Sequence, residues 1–290
     1  MGDFQMTVGN AEIVALSDMN CVYPTPLVDL WPNVPYPAWD AFRTRYAGTF
    51  TDGGQGTHMN IEIGCYLVRS QGKTILIDTG YGPGPIEYLG GLEGLLMADL
   101  TAKNIDPPDV DVVFLSHLHL DHVGWNAIER DGQLAPAFPN ARYVMHQADL
   151  DHFRRPEIHD RSRYPYMDQC IEVLARAGVI DPVDGDANLT DEVRAVHTPG
   201  HTPGHMSVVV SSQGQRAYIQ GDVLIHPAQV TEEHWTPLFD GDPALATLTR
   251  HKLLNELEAD GTPVVSCHFP APGFGRIVRV EGRRYWQAGL

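Results

Sequence analysis

Long apolar runs are absent from this chain of 290 residues. No stretch approaches the roughly 18 to 20 apolar residues that a membrane-spanning helix needs, so we expect no membrane partner. The first six residues lack the basic region and apolar core of an export signal. These two absences predict a soluble, cytoplasmic protein.

Basic residues are also scarce, since 20 Lys and Arg stand against 37 Asp and Glu, for a formal net charge of −17. Surfaces that bind nucleic acid or anionic lipid depend on clustered positive charge, which argues against both partners. The chain has only 4 cysteines, without the paired spacing of a zinc ribbon or a redox motif, at Cys21, Cys65, Cys170 and Cys267. We expect buried free thiols. Cys267 precedes His268, and neighbours in a strand point in opposite directions.

Metal-competent side chains are concentrated in the hexapeptide 117–122, His-Leu-His-Leu-Asp-His. It follows the β-branched and aromatic run 112–115, which predicts a buried strand. In an extended continuation, His117, His119 and Asp121 project to one side and the two leucines to the other. A helix would instead turn His119 away from the other two. The spacing therefore predicts an extended metal-binding segment.

Further polar residues follow apolar strands elsewhere in the chain. Asp222 comes after the run 217–221, and His268 comes after 263–267. The segment 197–205 repeats Thr-Pro-Gly between three histidines, and a Pro-Gly turn can hold an imidazole in a fixed direction. The spacing alone does not choose among His197, His201 and His205.

From residue 61 onward, short apolar runs alternate with turn residues and with helical patterns. Strands are predicted at 65–68, 74–77, 112–116, 142–146, 193–196, 207–210, 217–220, 263–267 and 277–280. Helices are predicted at 86–103, 168–177 and 243–259, the last with Asp242 as N-cap, Pro243 in its first turn and Gly261 after its end. This alternation is typical of a layered α/β fold, here as a single domain over residues 1–290.

Residues 21–58 differ in composition, because they are rich in proline and aromatics and include the glycine-rich stretch 52–56. Proline density disfavours a regular helix or a central strand, so we predict an arm, a lid or a linker. Its large aromatics need an apolar surface, either on their own domain or on the partner in a homodimer. They are Trp31, Trp39, Phe42 and Phe50.

Taken together, the motifs resemble the ligand set of the metallo-β-lactamase superfamily. The similar parts are His117-x-His119-x-Asp121-His122, Thr198-Pro199-Gly200-His201, Gly221-Asp222, His268 and the early strand motif 74–80. The resemblance spans residues 61–280. It implies an αββα sandwich in which two mixed β-sheets lie face to face between helices, with metals at one edge.

This resemblance also implies a role for each polar residue. It selects His201, the histidine directly after the first Thr-Pro-Gly. One metal would be held by His117, His119 and His201, and the second by Asp121, His122 and His268, with Asp222 bridging the two. Asp78 would steady a ligand through a hydrogen bond.

Nitrogen and oxygen ligands suit two divalent ions, with zinc as the first choice and Mn, Fe or Co as alternatives. Two such ions with a bridging carboxylate leave room for a shared hydroxide, a nucleophile at neutral pH. The expected reaction is hydrolysis, in which this hydroxide attacks a carbonyl or phosphoryl centre of a small-molecule substrate. Asp121 is the candidate to pass a proton onward, and Asp222 is the second predicted catalytic residue.

The stretch 267–277 and the segment 239–243 resemble the methyl parathion hydrolase-like branch and its lactonase relatives. We therefore expect a lactone, an aryl ester or a phosphotriester as substrate. Many N-acyl homoserine lactonases carry a tyrosine three residues after the bridging aspartate, where this chain has Ile225. An apolar pocket wall is predicted from Ile225, Trp235, Phe269 and Phe274, with core packing as the alternative for the three aromatics.

Other activities with the same ligands stay open as alternatives. A β-lactamase is less expected, because classes B1 and B2 have cysteine where this chain has Asp222. A glyoxalase II-like thioester hydrolase would carry basic residues for glutathione near its C-terminus, where this chain is only weakly basic. A persulfide dioxygenase would bind one iron. A non-enzymatic metal-binding protein would have a closed site.

Overall fold

The structure is a computed structural model, and it describes residues 4–54, 56–158 and 166–289. Its strands are β1 Gln5–Val8, β2 Ala11–Pro26, β3 Phe50–Gly53, β4 Gly56–Ser70, β5 Lys73–Ile77, β6 Val112–Phe114, β7 Ala127–Arg130, β8 Gln133–Pro136, β9 Arg142–His146, β10 Ile180–Val183, β11 Ala187–Asn188, β12 Val193–His197, β13 Met206–Ser212, β14 Gln215–Ile219, β15 Val264–Val265, β16 Phe274–Val280 and β17 Arg283–Ala288. Its α-helices are α1 Leu27–Leu30, α2 Asp40–Arg43, α3 Leu96–Ala102, α4 Leu120–Val123, α5 Gln147–Phe153, α6 Glu172–Ala177 and α7 Pro243–Asp260.

The strands form two large mixed sheets and the hairpin β7-β8. The first sheet has the order β1-β2-β4-β5-β6-β9-β10, with β3 also paired to β4. The second has the order β11-β12-β13-β14-β15-β16-β17. Neighbours are parallel from β5 to β10 in the first sheet and at β14-β15 in the second, and antiparallel elsewhere.

The molecule has four layers, with the two sheets in the middle and helices outside, and a hydrophobic cluster lies between each pair of neighbouring layers. In the central cluster, side chains of the two sheets pack together, for example Val68 and Phe114 with Val208 and Ile219. The outer face of the first sheet is covered by α3, α5 and α6. The outer face of the second sheet is covered by α7 and by aromatics from the N-terminal part of the chain. This confirms the predicted αββα sandwich.

Strand ends place the polar residues at one edge of this sandwich. His117 lies three residues after β6, Asp222 three residues after β14, and His268 three residues after β15. All three residues of β6 are buried, as expected for a parallel strand covered on both faces. Because the pairs β5-β6 and β14-β15 are parallel, the residues that follow each pair emerge at the same end of their sheet.

Helix α7 begins and ends as the sequence predicts. The Asp242 side chain accepts a hydrogen bond from the N–H of Leu245 at 3.0 Å, and Pro243 occupies the first turn. Gly261 ends the helix with φ of 62°, a left-handed conformation that glycine adopts without a steric penalty. The helix therefore has a fixed start, next to the loop that carries Asp240.

The single helix predicted at 86–103 is wrong. Residues Glu87–Leu89 form one 3₁₀ turn, and a regular helix begins only at Leu96. Gly90 and Gly91 both have positive φ, 75° and 82°, which turns the chain out of the helical conformation. The helix predicted at 168–177 is present, as a π-helical turn over Met167–Ile171 followed by α6.

The prolines of residues 21–58 were predicted to exclude a central strand, and both ends of this segment belong to the first sheet, as the end of β2 and as β3 with the start of β4. Cys21–Pro26 is the end of β2 and pairs with β4. Strand β1 pairs only with the beginning of β2, so this end of β2 is an edge where proline is tolerated. The aromatics Trp31, Trp39 and Phe42 are buried against Trp235 and its neighbours in the same chain. Gln55 lies outside the described residues, and a role of the segment as lid or dimer arm stays a prediction.

None of the helices in the described ranges combines the length and the apolar character needed to cross a membrane.

Candidate metal centre

The segment 117–122 changes conformation part-way along. His119 is still extended, with φ of −72° and ψ of 154°, but Leu120–Val123 forms the helical turn α4. The N–H of His122 donates to the carbonyl of His119 at 3.1 Å. The extended continuation predicted beyond His119 is therefore wrong. Successive side chains in a helix are roughly 100° apart rather than opposite, so Asp121 and His122 can both face the site.

The loop 197–205 between β12 and β13 separates its three histidines. His201 Nε2 lies 3.0 Å from Nδ1 of His119. His197 is exposed, and its Nε2 donates to the carbonyl of Pro203 at 2.9 Å. His205 is buried, and its Nε2 accepts the N–H of Asp222 at 2.9 Å. Of the three, the structure thus brings His201 into contact with the other imidazoles.

One group of donor atoms consists of three imidazoles. His117 Nε2 lies 2.9 Å from His119 Nδ1, and the donor atoms of His117, His119 and His201 all lie within 4.8 Å of one another. Burial holds the pKa of His117 and of His119 well below its usual range, and the neighbouring imidazoles add to this effect. Neutral imidazoles with converging nitrogens are the form that binds a metal ion.

A second group contains His122, Asp222, Cys267 and His268, whose donor atoms also lie within 4.8 Å of one another. The Asp121 carboxylate approaches it, with Oδ2 at 3.6 Å from Nε2 of both His122 and His268. The presence of Cys267 corrects our expectation that its side chain faces away. Its Sγ lies 3.3 Å from Asp222 Oδ1, because β15 ends at Val265 and the alternation of a strand no longer applies.

The Asp222 carboxylate lies between the two groups. Its Oδ2 is 3.3 Å from His201 Nε2 and 3.2 Å from His268 Nε2, while Oδ1 is 3.4 Å from His122 Nε2. Burial opposes ionisation of this carboxyl, but His268, His122 and His117 hold the pKa of Asp222 well below its usual range. A buried carboxylate shared by both groups can bind and neutralise two neighbouring cations.

One buried atom tests whether these residues fit a metal ion. Nε2 of His122 is buried, and it faces Asp222 Oδ1 at 3.4 Å and Asp121 Oδ2 at 3.6 Å without a well-formed hydrogen bond to the described residues. Burial opposes protonation of the ring, but Asp222, Asp121 and Asp78 raise the pKa of His122 well above its usual range. Nδ1 donates to Asp78 Oδ2 at 2.9 Å, so a divalent ion that replaces the proton on Nε2 would bind this nitrogen and the two carboxylates. The donor set therefore fits divalent ions.

A cavity of about 150 Å³ opens above both groups. It is lined by Tyr23, Ile61, Tyr81, Tyr88, His119, Asp121, His201, Asp222, Ile225, Phe239 and His268. Ile225 lies in this wall, as predicted. Trp235, Phe269 and Phe274 do not, because each packs in the core, against Trp39, Trp286 and Tyr66 respectively.

The family model of the metallo-beta-lactamase superfamily matches residues 63–268, which is more than half of this chain. The chain belongs to the metallo-beta-lactamase superfamily. This confirms the resemblance drawn from the motifs.

Curated relatives of this superfamily member include two proteins named N-acyl homoserine lactonase. AttM of Azorhizobium caulinodans is 30% identical over 255 residues, covering 76% of this chain and 90% of that protein. AiiA of Bacillus thuringiensis subsp. kurstaki is 27% identical over 229 residues, covering 72% of this chain and 82% of that protein. The chain is a metal-dependent hydrolase of the metallo-beta-lactamase superfamily.

Solved structures share the fold over nearly the whole chain. The hydrolase AbOPH superposes with a TM-score of 0.81 at 24% identity, covering 98% of this chain and 96% of that one. AidC, described as a dizinc quorum-quenching lactonase in complex with a product, gives a TM-score of 0.81 at 22% identity, covering 99% and 97%.

Buried carboxylates hold the imidazoles of this metallo-beta-lactamase superfamily site in place. Asp78 accepts hydrogen bonds from the N–H of Ser116 at 2.7 Å and from its hydroxyl at 2.8 Å, besides the one from His122. Asp78 has φ of 60°, a strained value for a non-glycine residue that these three hydrogen bonds stabilise. The contact to His122 is of the kind predicted for Asp78.

Several supporting residues were missed by sequence reasoning. Asp240 lies against His201, and Asp149 connects the two histidine loops. Asp240 belongs to the segment 239–243, which resembles the methyl parathion hydrolase-like branch. This resemblance could have identified Asp240 as a residue of the site. No pattern in the sequence connects Asp149 with the site.

Proposed function

We propose that this protein hydrolyses the ester bond of small lactones that carry an apolar chain, with N-acyl homoserine lactones as the first substrates to test. The observation that carries the proposal is the pair of donor groups sharing Asp222 at the base of a largely aromatic and aliphatic cavity. The relatives named N-acyl homoserine lactonase support the substrate class.

We further propose two zinc ions per chain. His117, His119 and His201 would hold one, His122, His268 and Asp121 the other, and Asp222 both. AidC, described as a dizinc enzyme, supports the number and the metal. When bound, such ions supply a water-derived nucleophile at neutral pH and stabilise negative charge on the substrate oxygen.

The residues of the chain itself contribute orientation and proton transfer. Asp78 and Asp240 each accept a hydrogen bond from the outer ring nitrogen of a histidine and fix the direction of its other nitrogen. Asp121 lines the cavity, and its side chain is 20% exposed, against 4% for Asp222. Asp121 is therefore the carboxylate that can take a proton from the attacking water and pass it onward.

The cavity wall accounts for an apolar substrate. Ile61, Ile225 and Phe239 offer no hydrogen bond to a polar chain, and burying an acyl chain against them gains roughly 0.8 kcal/mol per methylene. We expect KM to fall as the acyl chain is lengthened, until the chain extends past the cavity.

The test combines metal analysis with a substrate panel. Purified protein should contain about two zinc ions per chain and open N-acyl homoserine lactones of several chain lengths. Aryl esters, phosphotriesters, a β-lactam and a glutathione thioester belong in the same panel. One iron per chain with oxygen consumption would contradict the proposal, and so would a clear preference for another substrate class.

A further inference from the structure

Three tyrosines line the cavity above the metal centre: Tyr23, Tyr81 and Tyr88. The other lining residues that we do not assign as metal ligands are Ile61, Ile225 and Phe239. Within the described part of the chain, the three phenol groups are thus the side-chain hydrogen-bond donors that this wall can offer a substrate without disturbing a ligand. Ile225 offers none.

Tyr81 is fixed to the helical turn that carries Asp121 and His122. The N–H of Thr79 donates to the carbonyl of His122 at 2.8 Å, and the N–H of Gly124 donates to the carbonyl of Gly80 at 2.7 Å. A Cβ added at Gly124 would lie 1.9 Å from the carbonyl carbon of Tyr81, so the two backbones are in direct contact. The position of Tyr81 relative to the metal centre is therefore set by the backbone.

Tyr88 reaches the same cavity from the 3₁₀ turn Glu87–Leu89. Its ring is edge-on to that of Tyr81, with the centroids 6.2 Å apart. Burial raises the pKa of both hydroxyls, and the charge of Asp121 raises both further.

Exposure separates these two tyrosines. Tyr88 is 41% exposed, whereas Tyr81 is 6% exposed, so Tyr88 is the one that can meet a substrate at the cavity mouth. The edge-on contact with the buried Tyr81 ring restricts the orientation of the Tyr88 ring.

We propose that Tyr88 is a catalytic residue that donates a hydrogen bond to the leaving-group oxygen of the substrate, and that Tyr81 is the positioning residue that orients it. This inference rests on the proposed lactone hydrolysis. In the hydrolysis, the water oxygen forms a new C–O bond to the carbonyl carbon and the ring C–O bond breaks. The electron pair of the broken bond goes to the ring oxygen, a strongly basic alkoxide that finally takes up the proton released by the water. A hydrogen bond to this oxygen strengthens as the charge develops, and it therefore lowers the barrier rather than tightening substrate binding.

The test compares two leaving groups in the Tyr88→Phe variant. With an N-acyl homoserine lactone, which has a poor alkoxide leaving group, kcat should fall about 10- to 100-fold with little change in KM. With a 4-nitrophenyl ester of the same acyl chain, whose phenolate leaves without help, kcat should stay within about threefold. Across esters of graded leaving-group basicity, the rate should depend on that basicity more steeply than in the unmodified protein.

Tyr36→Phe is the control, because Tyr36 is about as exposed as Tyr88, 43% against 41%, and does not line the cavity. It should leave kcat for both substrates within about threefold. Tyr81→Ala, which removes the ring packed against Tyr88, should reproduce the leaving-group dependence of Tyr88→Phe in weaker form. Zinc content should be unchanged in all three variants.

Two results would overturn the inference while leaving the proposed function intact. An equal loss for lactone and aryl ester in Tyr88→Phe would mean that the hydroxyl acts on the carbonyl oxygen or on binding. No loss with lactone would mean that it does not act at all. If the unmodified protein opens no lactone, both the proposed function and this inference are wrong.

Discussion

His201 and Asp240 are joined by a buried contact of 3.1 Å between Nδ1 and Oδ1. The other oxygen of Asp240 accepts a hydrogen bond from Arg250 Nη2, also at 3.1 Å, and neither side chain of this ion pair is exposed. Arg250 in turn donates to the carbonyls of Val223 and Trp235. The imidazole of His201 is thus oriented by helix α7 through an ion pair.

Asp240→Asn should weaken both zinc binding and folding. The variant removes the charge that makes the His201 imidazole a better ligand, so zinc affinity should fall about 10- to 100-fold in a chelator competition. It also leaves Arg250 buried without a counter-charge, which should lower the free energy of unfolding by about 3 kcal/mol in urea. Asp242→Asn is the control, because asparagine caps a helix as well as aspartate does. Unchanged zinc affinity in Asp240→Asn would contradict the orienting role.

The side chains that converge in the structure could be named from the sequence, because His117, Asp222 and His268 each follow a strand and the resemblance to the superfamily selected His201. The residues that orient them could not, since Asp240 is separated from His201 by 39 positions and Asp149 from Leu118 by 31. Their contacts arise only when loops from different layers meet. Two wrong predictions, the direction of the Cys267 side chain and the extended conformation beyond His119, have one cause. In both cases the alternation of side chains in a strand was assumed to continue past the end of the strand.

Fold prediction failed in the same way where local signals conflicted. The helical periodicity over 86–103 predicted one helix across the Gly90-Gly91 pair. The positive φ values of both glycines instead interrupt the helix, which begins only at Leu96. Prolines at 24 and 26 excluded a central strand but not an edge strand, and residues 21–26 form a free edge of β2. The sequence did not show that residues 21–26 form a strand at all, because their pairing partners lie in β4.

Asp149 should matter for both histidine loops although it binds no metal in our assignment. Its carboxylate accepts hydrogen bonds from the N–H of Leu118 at 3.3 Å, the hydroxyl of Thr202 at 2.8 Å and the N–H of Gly204 at 2.6 Å. Asp149→Ala leaves two buried N–H groups unpaired, so the free energy of unfolding should fall by about 2–4 kcal/mol and zinc affinity should fall with it. Asp151→Ala, on the exposed side of the same helix, should change neither; equal effects of both variants would contradict the assignment.

Asp222→Ala should reduce the content of both metals, because this carboxylate contacts both donor groups. We expect fewer than about one zinc per chain by elemental analysis and a loss of turnover of about 10³-fold or more. His201→Ala, which removes a ligand of one group only, should retain about one zinc. His197→Ala should retain both, since this histidine points away from the site. Full activity of Asp222→Ala with one metal would exclude the bridging role.

His226 should make stability depend on pH independently of the metal centre. Its Nδ1 accepts the N–H of Ala228 at 3.0 Å, and its Nε2 lies 2.7 Å from the hydroxyl of Thr49, which itself donates to the carbonyl of Tyr46. The ring is therefore neutral and donates from Nε2. Burial lowers the pKa of His226 to about 3, against about 6.5 in an unfolded chain.

Since the unfolded state binds a proton that the folded state does not, between about pH 6.5 and pH 3, the free energy of unfolding falls as the pH falls through this window. Between pH 7 and pH 5 the contribution of His226 is about 2 kcal/mol. His226→Asn keeps an acceptor for the N–H of Ala228 and removes the titration, so urea unfolding should show a shallower pH dependence by that amount. The exposed His234→Asn should follow the unmodified protein. Parallel curves for His226→Asn and the unmodified protein would mean that His226 is protonated in the folded state or titrates alike in both states.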